Sequence, residues 1–154
     1  MKLIAHRGNV FGPNLELENS PNYIDKAISM GYDVEVDLWV KDDKFYLGHD
    51  YPKYEIDLNF INDICLKTWF HCKNKEALEV IKSASSEANY FWHQTDDYTI
   101  TSKGYFWTYP GKEVIDNSII LFPESINQYL NVSKKIYGIC SDYVNRFKYI
   151  TLLT

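Results

Sequence analysis

Six residues in the first third of the chain have side chains suited to acid–base chemistry or metal binding, and they come in four short groups. The groups are His6-Arg7-Gly8, Glu18-Asn19-Ser20, Glu35-Val36-Asp37 and His49-Asp50. Two histidines supply an acid and a base near neutral pH, and an arginine binds a phosphate oxygen. The three carboxylates are ligands that a divalent cation prefers. Together these residues predict metal-assisted cleavage of a phosphodiester.

Glu35 and Asp37 are two residues apart in a segment with strand character, so their side chains point to the same face. Flanked by Val34, Val36 and Leu38, they are expected to enter the interior of the fold. Two buried carboxylates repel each other and lose hydration, which a divalent cation with oxygen ligands, Mg²⁺ or Ca²⁺, compensates. The alternative is the exposed face of an edge strand.

His6 and Arg7 directly follow the first apolar segment, and His49 follows the second strand after a short loop. Phosphodiester cleavage needs a base at the nucleophile and an acid at the leaving oxygen, so His6 and His49 are the candidate catalytic pair. Arg7 is the candidate phosphate ligand. Glu18 is placed to orient Arg7 or to approach the metal. The alternatives are a capping or core histidine and a carboxylate that complements a helix dipole.

His71 and Lys73 repeat the same two-residue spacing on a later strand. His71 is a candidate metal ligand and Lys73 a candidate phosphate ligand, the alternative for His71 being a buried imidazole bonded to the backbone. His93 and Trp107 end two further strands and are expected to line the mouth of the site and contact substrate. For Trp107 core packing is the alternative. Ser141-Asp142 ends the last strand and is expected at the same mouth.

The elements that must position these residues alternate between apolar and amphipathic segments. A helix is predicted from Pro21, with Ser20 as its N-cap, to a closing Gly31. Strands are predicted at residues 2–5, 33–40, 68–73, 90–94, 105–109, 118–122 and 135–140, and further helices at 57–65, 74–84, 125–130 and 145–153. Residues 45–48 form a short segment that delivers His49.

This alternation predicts a single domain over residues 1–154, a compact TIM-like β/α barrel with about seven to eight parallel strands. Active sites of such barrels lie at the carboxyl ends of the strands, where the candidate residues fall. A typical barrel needs about 250 residues. We therefore expect shortened or missing helices, especially between residues 94 and 105 and between 109 and 118.

Composition excludes several other classes of protein. The net charge is −5 and no basic stripe is present, so no nucleic-acid partner is expected. No apolar run approaches the ~20 residues of a membrane span, and the N-terminus does not resemble a signal peptide. The three scattered cysteines predict reduced, buried thiols and a cytoplasmic location. The oligomeric state does not follow from these features.

The four groups resemble the glycerophosphodiester phosphodiesterase family, within the phosphatidylinositol-phospholipase-C-like superfamily. The family pattern is His-Arg-Gly, Glu-Asn-Thr/Ser, Glu-x-Asp and His-Asp, and the chain is similar to it in order and spacing over about residues 3–52. The segment 138–143 resembles the last barrel strand of that family. The resemblance implies a metal-dependent hydrolase with His6 and His49 as the acid–base pair and Arg7 on phosphate. It implies Glu35 and Asp37 as metal ligands, with Glu18 in or beside that set.

The chain departs from the family in two respects. The family's third strand carries Glu-x-Lys, where this chain has His71-Cys72-Lys73. A nitrogen ligand in place of oxygen favours Mn²⁺ or Zn²⁺ as alternatives to Mg²⁺ or Ca²⁺. Family members are also about a hundred residues longer, so the contacts that select glycerol are in question. The alternatives to a hydrolase of small glycerophosphodiester-like molecules are an inactive barrel that binds phosphate ligands and a lyase that forms a cyclic phosphate.

Overall fold

The computed structural model of the chain describes residues 1–125 and 135–148. The strands are β1 (Lys2–His6), β2 (Asp33–Lys41), β3 (Lys44–Leu47), β4 (Tyr54–Ile56), β5 (Thr68–Cys72), β6 (Asn89–Phe91), β7 (Tyr98–Ile100), β8 (Phe106–Thr108), β9 (Ser118–Leu121) and β10 (Gly138–Ser141). The α-helices are α1 (Pro21–Ser29), α2 (Leu58–Ile64) and α3 (Lys75–Ala84). Short 3₁₀ turns occupy Cys65–Lys67, Pro123–Ser125 and Val144–Phe147.

The strands form one mixed sheet that curls into an open half-barrel. Parallel pairing runs in the order β6-β5-β2-β1-β10-β9-β8. β7 lies antiparallel on β8, and the β3–β4 hairpin extends antiparallel from the second half of β2. The predicted TIM-like barrel of parallel strands is therefore wrong.

The reason lies in the connections. A β/α barrel needs a helix after nearly every strand, because the helices form the outer ring that closes the sheet. In the described ranges only three short helices are found, and residues 92–97 and 109–117 cross between strands without one. The edge strands β6 and β7 approach each other through separate bonds, such as the Ser102 amide to the Tyr90 carbonyl at 2.8 Å, and share no ladder.

Most predicted segments coincide with observed elements, although their ends shift by one to three residues. The antiparallel strands β4 and β7, of three residues each, were not predicted. The predicted helix at 125–130 lies outside the described residues except for Ser125, which ends a 3₁₀ turn. Of the predicted helix at 145–153, residues up to 147 form a 3₁₀ turn and those beyond 148 lie outside the described part.

Two helices show how local sequence fixes the elements around β2. α1 begins at Pro21 after Ser20, as predicted, although the Ser20 side chain makes no capping bond. α3 is capped by Asn74, whose Oδ1 accepts from the amides of Ala77 and Val40. The Asn74 amide also donates to the Val40 carbonyl at 2.7 Å. One side chain thus caps the helix and fixes it to the sheet.

Apolar side chains pack on both faces of the curled sheet. On the convex face Val34, Val36 and Leu38 of β2 are fully buried with residues of the helices. On the concave face a second cluster is formed by Ile4, Trp69, Phe91, Trp107, Ile119, Leu121 and Cys140. Because strand side chains alternate, burying one face of β2 under helices sends its carboxylates to the concave side. This packing positions the candidate site.

Candidate active site

The predicted site residues meet at one cavity at the carboxyl ends of the central parallel strands. The cavity has a volume of about 370 Å³. Eight of the ten predicted side chains line it: His6, Arg7, Glu35, His49, His71, Lys73, His93 and Trp107. The other two, Asp37 and Glu18, are buried and pair with Arg7. Residues that are up to 101 positions apart in sequence are therefore brought together.

Arg7 is the hub of the charged part of the site. Its backbone has a φ of 52°, a left-handed turn that ends β1 and redirects the side chain, and its amide donates to the Glu35 carbonyl. The guanidinium Nη1 donates to Glu18 Oε2 at 3.1 Å, and Nε lies 3.1 Å from Asp37 Oδ2. Nη2 lies 2.7 Å from His49 Nδ1. The planar, multiply donating guanidinium is suited to this role in a way that a lysine is not.

Asp37 is fully buried, and the sequence alternative of an exposed edge strand is wrong for both it and Glu35. Asn19, also buried, donates to Asp37 Oδ2 and accepts from the Asp37 amide, both at 2.9 Å. Burial alone would raise the pKa of Asp37, but the neighbouring imidazoles of His49 and His71 oppose it. The charges of Arg7 and Lys73 act in the same direction, so the pKa lies well below its usual value.

Glu35, Asp37 and His71 form a cluster with the donor atoms of a metal site. One ligand atom from each lies within 4.8 Å of the other two. His71 Nδ1 lies 3.2 Å from Asp37 Oδ1 and 3.7 Å from Glu35 Oε1. Asp37 Oδ1 is buried and makes ion-pair contacts but no regular hydrogen bond among the described residues.

The second ring nitrogen of His71 fixes the imidazole in place. Nε2 donates to the His93 carbonyl at 2.8 Å, and the ring stacks on Phe91. Burial would lower the pKa of His71, but the Asp37 and Glu35 carboxylates raise it to about 9. The two alternatives that the sequence left open for His71, a backbone-bonded imidazole and a candidate metal ligand, are therefore compatible. Nε2 bonds the backbone, and Nδ1 points at the carboxylates.

His6 is oriented by a residue that was expected only at the mouth of the site. Its Nδ1 donates to Asp142 Oδ1 at 2.7 Å, which leaves Nε2 facing the cavity, 3.9 Å from Glu35 Oε2. Burial opposes ionisation of Asp142, yet the bonds from His6 and Asn9 lower its pKa. Asn9, which sequence reasoning missed, also donates to Glu18 and so joins the two carboxylates. Its position two residues after Arg7 was the only available signal.

The remaining candidates occupy the edges of the site. His49 is the most exposed of the catalytic candidates, with 40% of its side chain accessible. Glu18 is occupied by Arg7 and Asn9 and is not among the three clustered ligands. Lys73 Nζ lies 3.4 Å from Asp37 Oδ1. His93 stacks on Tyr109, and Trp107 is 2% exposed, so it packs in the concave core and also lines the cavity.

No α-helix of the described residues is long and apolar enough to span a bilayer. Comparison of the chain with protein-family models, with curated proteins and with solved structures finds no match in any of the three.

Proposed function

We propose that this protein is a metal-dependent phosphodiesterase that cleaves a small glycerophosphodiester-like molecule by acid–base catalysis between His6 and His49. The observation that carries the proposal is the convergence of two histidines, two fixed cations and a ligand cluster on one cavity. A phosphodiester needs positive charge around its oxygens and a proton donor and acceptor at opposite sides of phosphorus. The cavity offers the cationic side chains of Arg7 and Lys73 and the two imidazoles to which the proposal assigns these roles.

The donor set of Glu35, Asp37 and His71 fits a divalent cation. Their ligand atoms are close enough to share one ion, and His71 donates its other ring nitrogen to a backbone carbonyl. That outer hydrogen bond is the usual arrangement of a metal-binding histidine. A bound ion neutralises charge on the phosphodiester. The mixed oxygen and nitrogen donors favour Mn²⁺ or Zn²⁺ alongside Mg²⁺.

His6 is assigned as the base. Because Nδ1 carries the proton donated to Asp142, Nε2 has a lone pair that faces the cavity. It accepts the proton of an attacking water as the new P–O bond forms. Asp142 holds the ring in this tautomer and stabilises the imidazolium that results.

His49 is assigned as the acid that protonates the leaving alcohol oxygen as the second P–O bond breaks. Its Nδ1 lies 2.7 Å from Arg7 Nη2 and 3.3 Å from Asp37 Oδ2. In the proposed acid form Nδ1 donates to Asp37, and the Nε2 proton passes to the leaving oxygen. Arg7 and Lys73 then stabilise the charge on the phosphoryl oxygens.

A second candidate is a protein that binds phosphate compounds without turning them over. It is favoured by the ion pairs from Arg7 and Lys73 to Asp37, which place cations at the cavity without an added ion. The lyase alternative differs only in the nucleophile, which would be a hydroxyl of the substrate itself.

Hydrolysis of bis(p-nitrophenyl) phosphate with Mg²⁺, Ca²⁺, Mn²⁺ or Zn²⁺ tests the proposal. Activity is expected with at least one metal, and EDTA and His49→Ala should each abolish it while the circular dichroism spectrum is unchanged. The exposed variant Glu55→Gln, on the β3–β4 hairpin, serves as the control. EDTA-resistant turnover would reject the metal. Phosphate binding without turnover of this ester or of a glycerophosphodiester panel would favour the second candidate.

The protein is further proposed to be cytoplasmic. Cys65, Cys72 and Cys140 are buried and form no disulfide in the structure. Burial raises the pKa of the Cys72 thiol to about 12, which keeps it protonated and unreactive. Three buried free thiols are typical of a reducing compartment.

A further inference from the structure

The cavity has a second side that acid–base catalysis does not use. Beside the charged groups, it is lined by five carbon-rich residues of β6, β8 and β9 and of the segments after β8 and β9: Phe91, Trp107, Tyr109, Leu121 and Phe122. Several are held by ring contacts, with Phe91 and Trp107 centroids 4.5 Å apart. Phe122 meets the His6 ring edge-on at 4.8 Å. The apolar surface thus begins directly beside the proposed base.

Few polar atoms on this wall are available to a ligand. His93 lines it, but its Nε2 contacts the Asp96 carbonyl and its own carbonyl accepts from His71. Gln94, the Tyr109 hydroxyl and His93 Nδ1 are the side-chain polar groups that remain among the described lining residues outside the charged side. A polyol needs several donors and acceptors to replace its hydration, and a wall of this kind cannot supply them.

We propose that the cavity selects phosphodiesters in which one esterified alcohol carries an apolar group, an aromatic ring or an alkyl chain, in preference to glycerol. The inference rests on the proposed function for the placement of the phosphate beside Arg7 and Lys73. The apolar group then packs on the rings of this apolar wall, where it is removed from water. A cavity of about 370 Å³ accommodates a phosphate and one ring-sized substituent.

Mutation of Tyr109 tests whether the apolar wall binds the substituent of the ligand. It lies just after β8, is 43% exposed and stacks on His93, so its ring is removable without opening the core. Ile100 is the matched control, because it is an apolar side chain 60% exposed on β7 and does not line the cavity. Truncating both to alanine removes apolar surface in each case, but only one change alters the cavity.

Calorimetric titration of the full chain with phenyl phosphate, n-hexyl phosphate, glycerol 3-phosphate and inorganic phosphate measures the selectivity without requiring turnover. Phenyl or hexyl phosphate is expected to bind about tenfold more tightly than glycerol 3-phosphate. Tyr109→Ala should reduce this ratio about threefold or more, while Tyr109→Phe and Ile100→Ala preserve it. Whichever of the two apolar esters binds more tightly shows whether the natural group is a ring or a chain.

The outcomes separate this inference from the proposed function. If the phosphates bind but glycerol 3-phosphate binds as tightly as both apolar esters, the inference is overturned and the proposed function is untouched. An unchanged ratio in Tyr109→Ala would also overturn it. If the apolar preference is present but no diester is hydrolysed, the inference stands and the hydrolase fails. If no phosphate compound binds at all, both fail.

Discussion

Arg7 Nη2 lies 2.7 Å from His49 Nδ1, and the same imidazole nitrogen lies 3.3 Å from Asp37 Oδ2. A guanidinium has no acceptor, so the imidazole nitrogen must supply the lone pair. A contact with the Asp37 carboxylate requires the opposite, a proton on Nδ1. Arg7 and Asp37 therefore compete for the same nitrogen of His49, and Arg7 Nε also pairs with Asp37 Oδ2 at 3.1 Å.

Replacing Arg7 with lysine tests whether the contacts of its guanidinium are needed for activity and stability. A single ammonium cannot serve Glu18, Asp37 and His49 together, so kcat/KM should fall by about a hundredfold and unfolding free energy by about 2–3 kcal/mol. Steady-state kinetics and urea denaturation measure the two effects. Arg146→Lys, an exposed arginine stacked on Tyr143, should change neither. An Arg7→Lys variant with normal activity would contradict the proposed role.

Asp142→Asn should lower kcat by about a hundredfold with little change in KM, because Asp142 orients the base and does not bind substrate. The asparagine amide either loses the hydrogen bond or imposes the wrong tautomer on His6. Asp142→Glu should recover part of the rate. A variant that raises KM with kcat intact would instead place Asp142 in substrate binding.

Stability should decrease in mildly alkaline solution because of His71. Its pKa is raised to about 9 in the folded protein, against about 6.5 when unfolded, so its stabilising contribution is complete below pH 6.5. That contribution is lost as pH rises through 9, by up to about 3 kcal/mol. Urea denaturation from pH 6 to 10, in EDTA, measures it. His71→Gln should flatten the profile, and an identical slope in that variant would assign the loss to another group.

His71→Glu restores an oxygen donor beside Glu35 and Asp37. The variant should shift metal preference from Mn²⁺ or Zn²⁺ toward Mg²⁺ or Ca²⁺, because hard cations prefer carboxylate oxygen. Calorimetric titration with each of the four ions gives the affinities directly. If the order of affinities matches that of the unmodified protein, His71 is not a ligand.

Asn19→Asp should destabilise the protein by about 3 kcal/mol at pH 7. The change keeps the shape of the side chain but places an anion where an amide now donates to Asp37 at 2.9 Å, and both residues are buried. Urea denaturation measures the loss. Asn62→Asp, at an exposed position in α2, should stay within about 0.5 kcal/mol. A near-neutral Asn19→Asp would mean that one carboxyl takes up a proton.

The chain's local patterns were sufficient to predict the charged half of the site. Alternation in residues 34–38 places two carboxylates on one face and three apolar side chains on the other, and both faces are buried as this pattern requires. His71 and Lys73 follow from the same two-residue rule, and His6 and Arg7 from their position at the end of the first strand. Such predictions succeed because the two-residue period of a strand is a property of the backbone itself.

The sheet's closure and the pairing of side chains depended on tertiary structure. The local pattern did not mark β7 as a strand, and its antiparallel pairing with β8 ends the run of parallel strands. The bond of His6 to Asp142 joins residues 136 positions apart, and nothing in either segment specifies the partner. The sequence by itself determined which residues are candidates for the chemistry, because residue type and strand period are local. Only the packed sheet decided which acceptor each donor meets, because those distances depend on how distant segments are brought together.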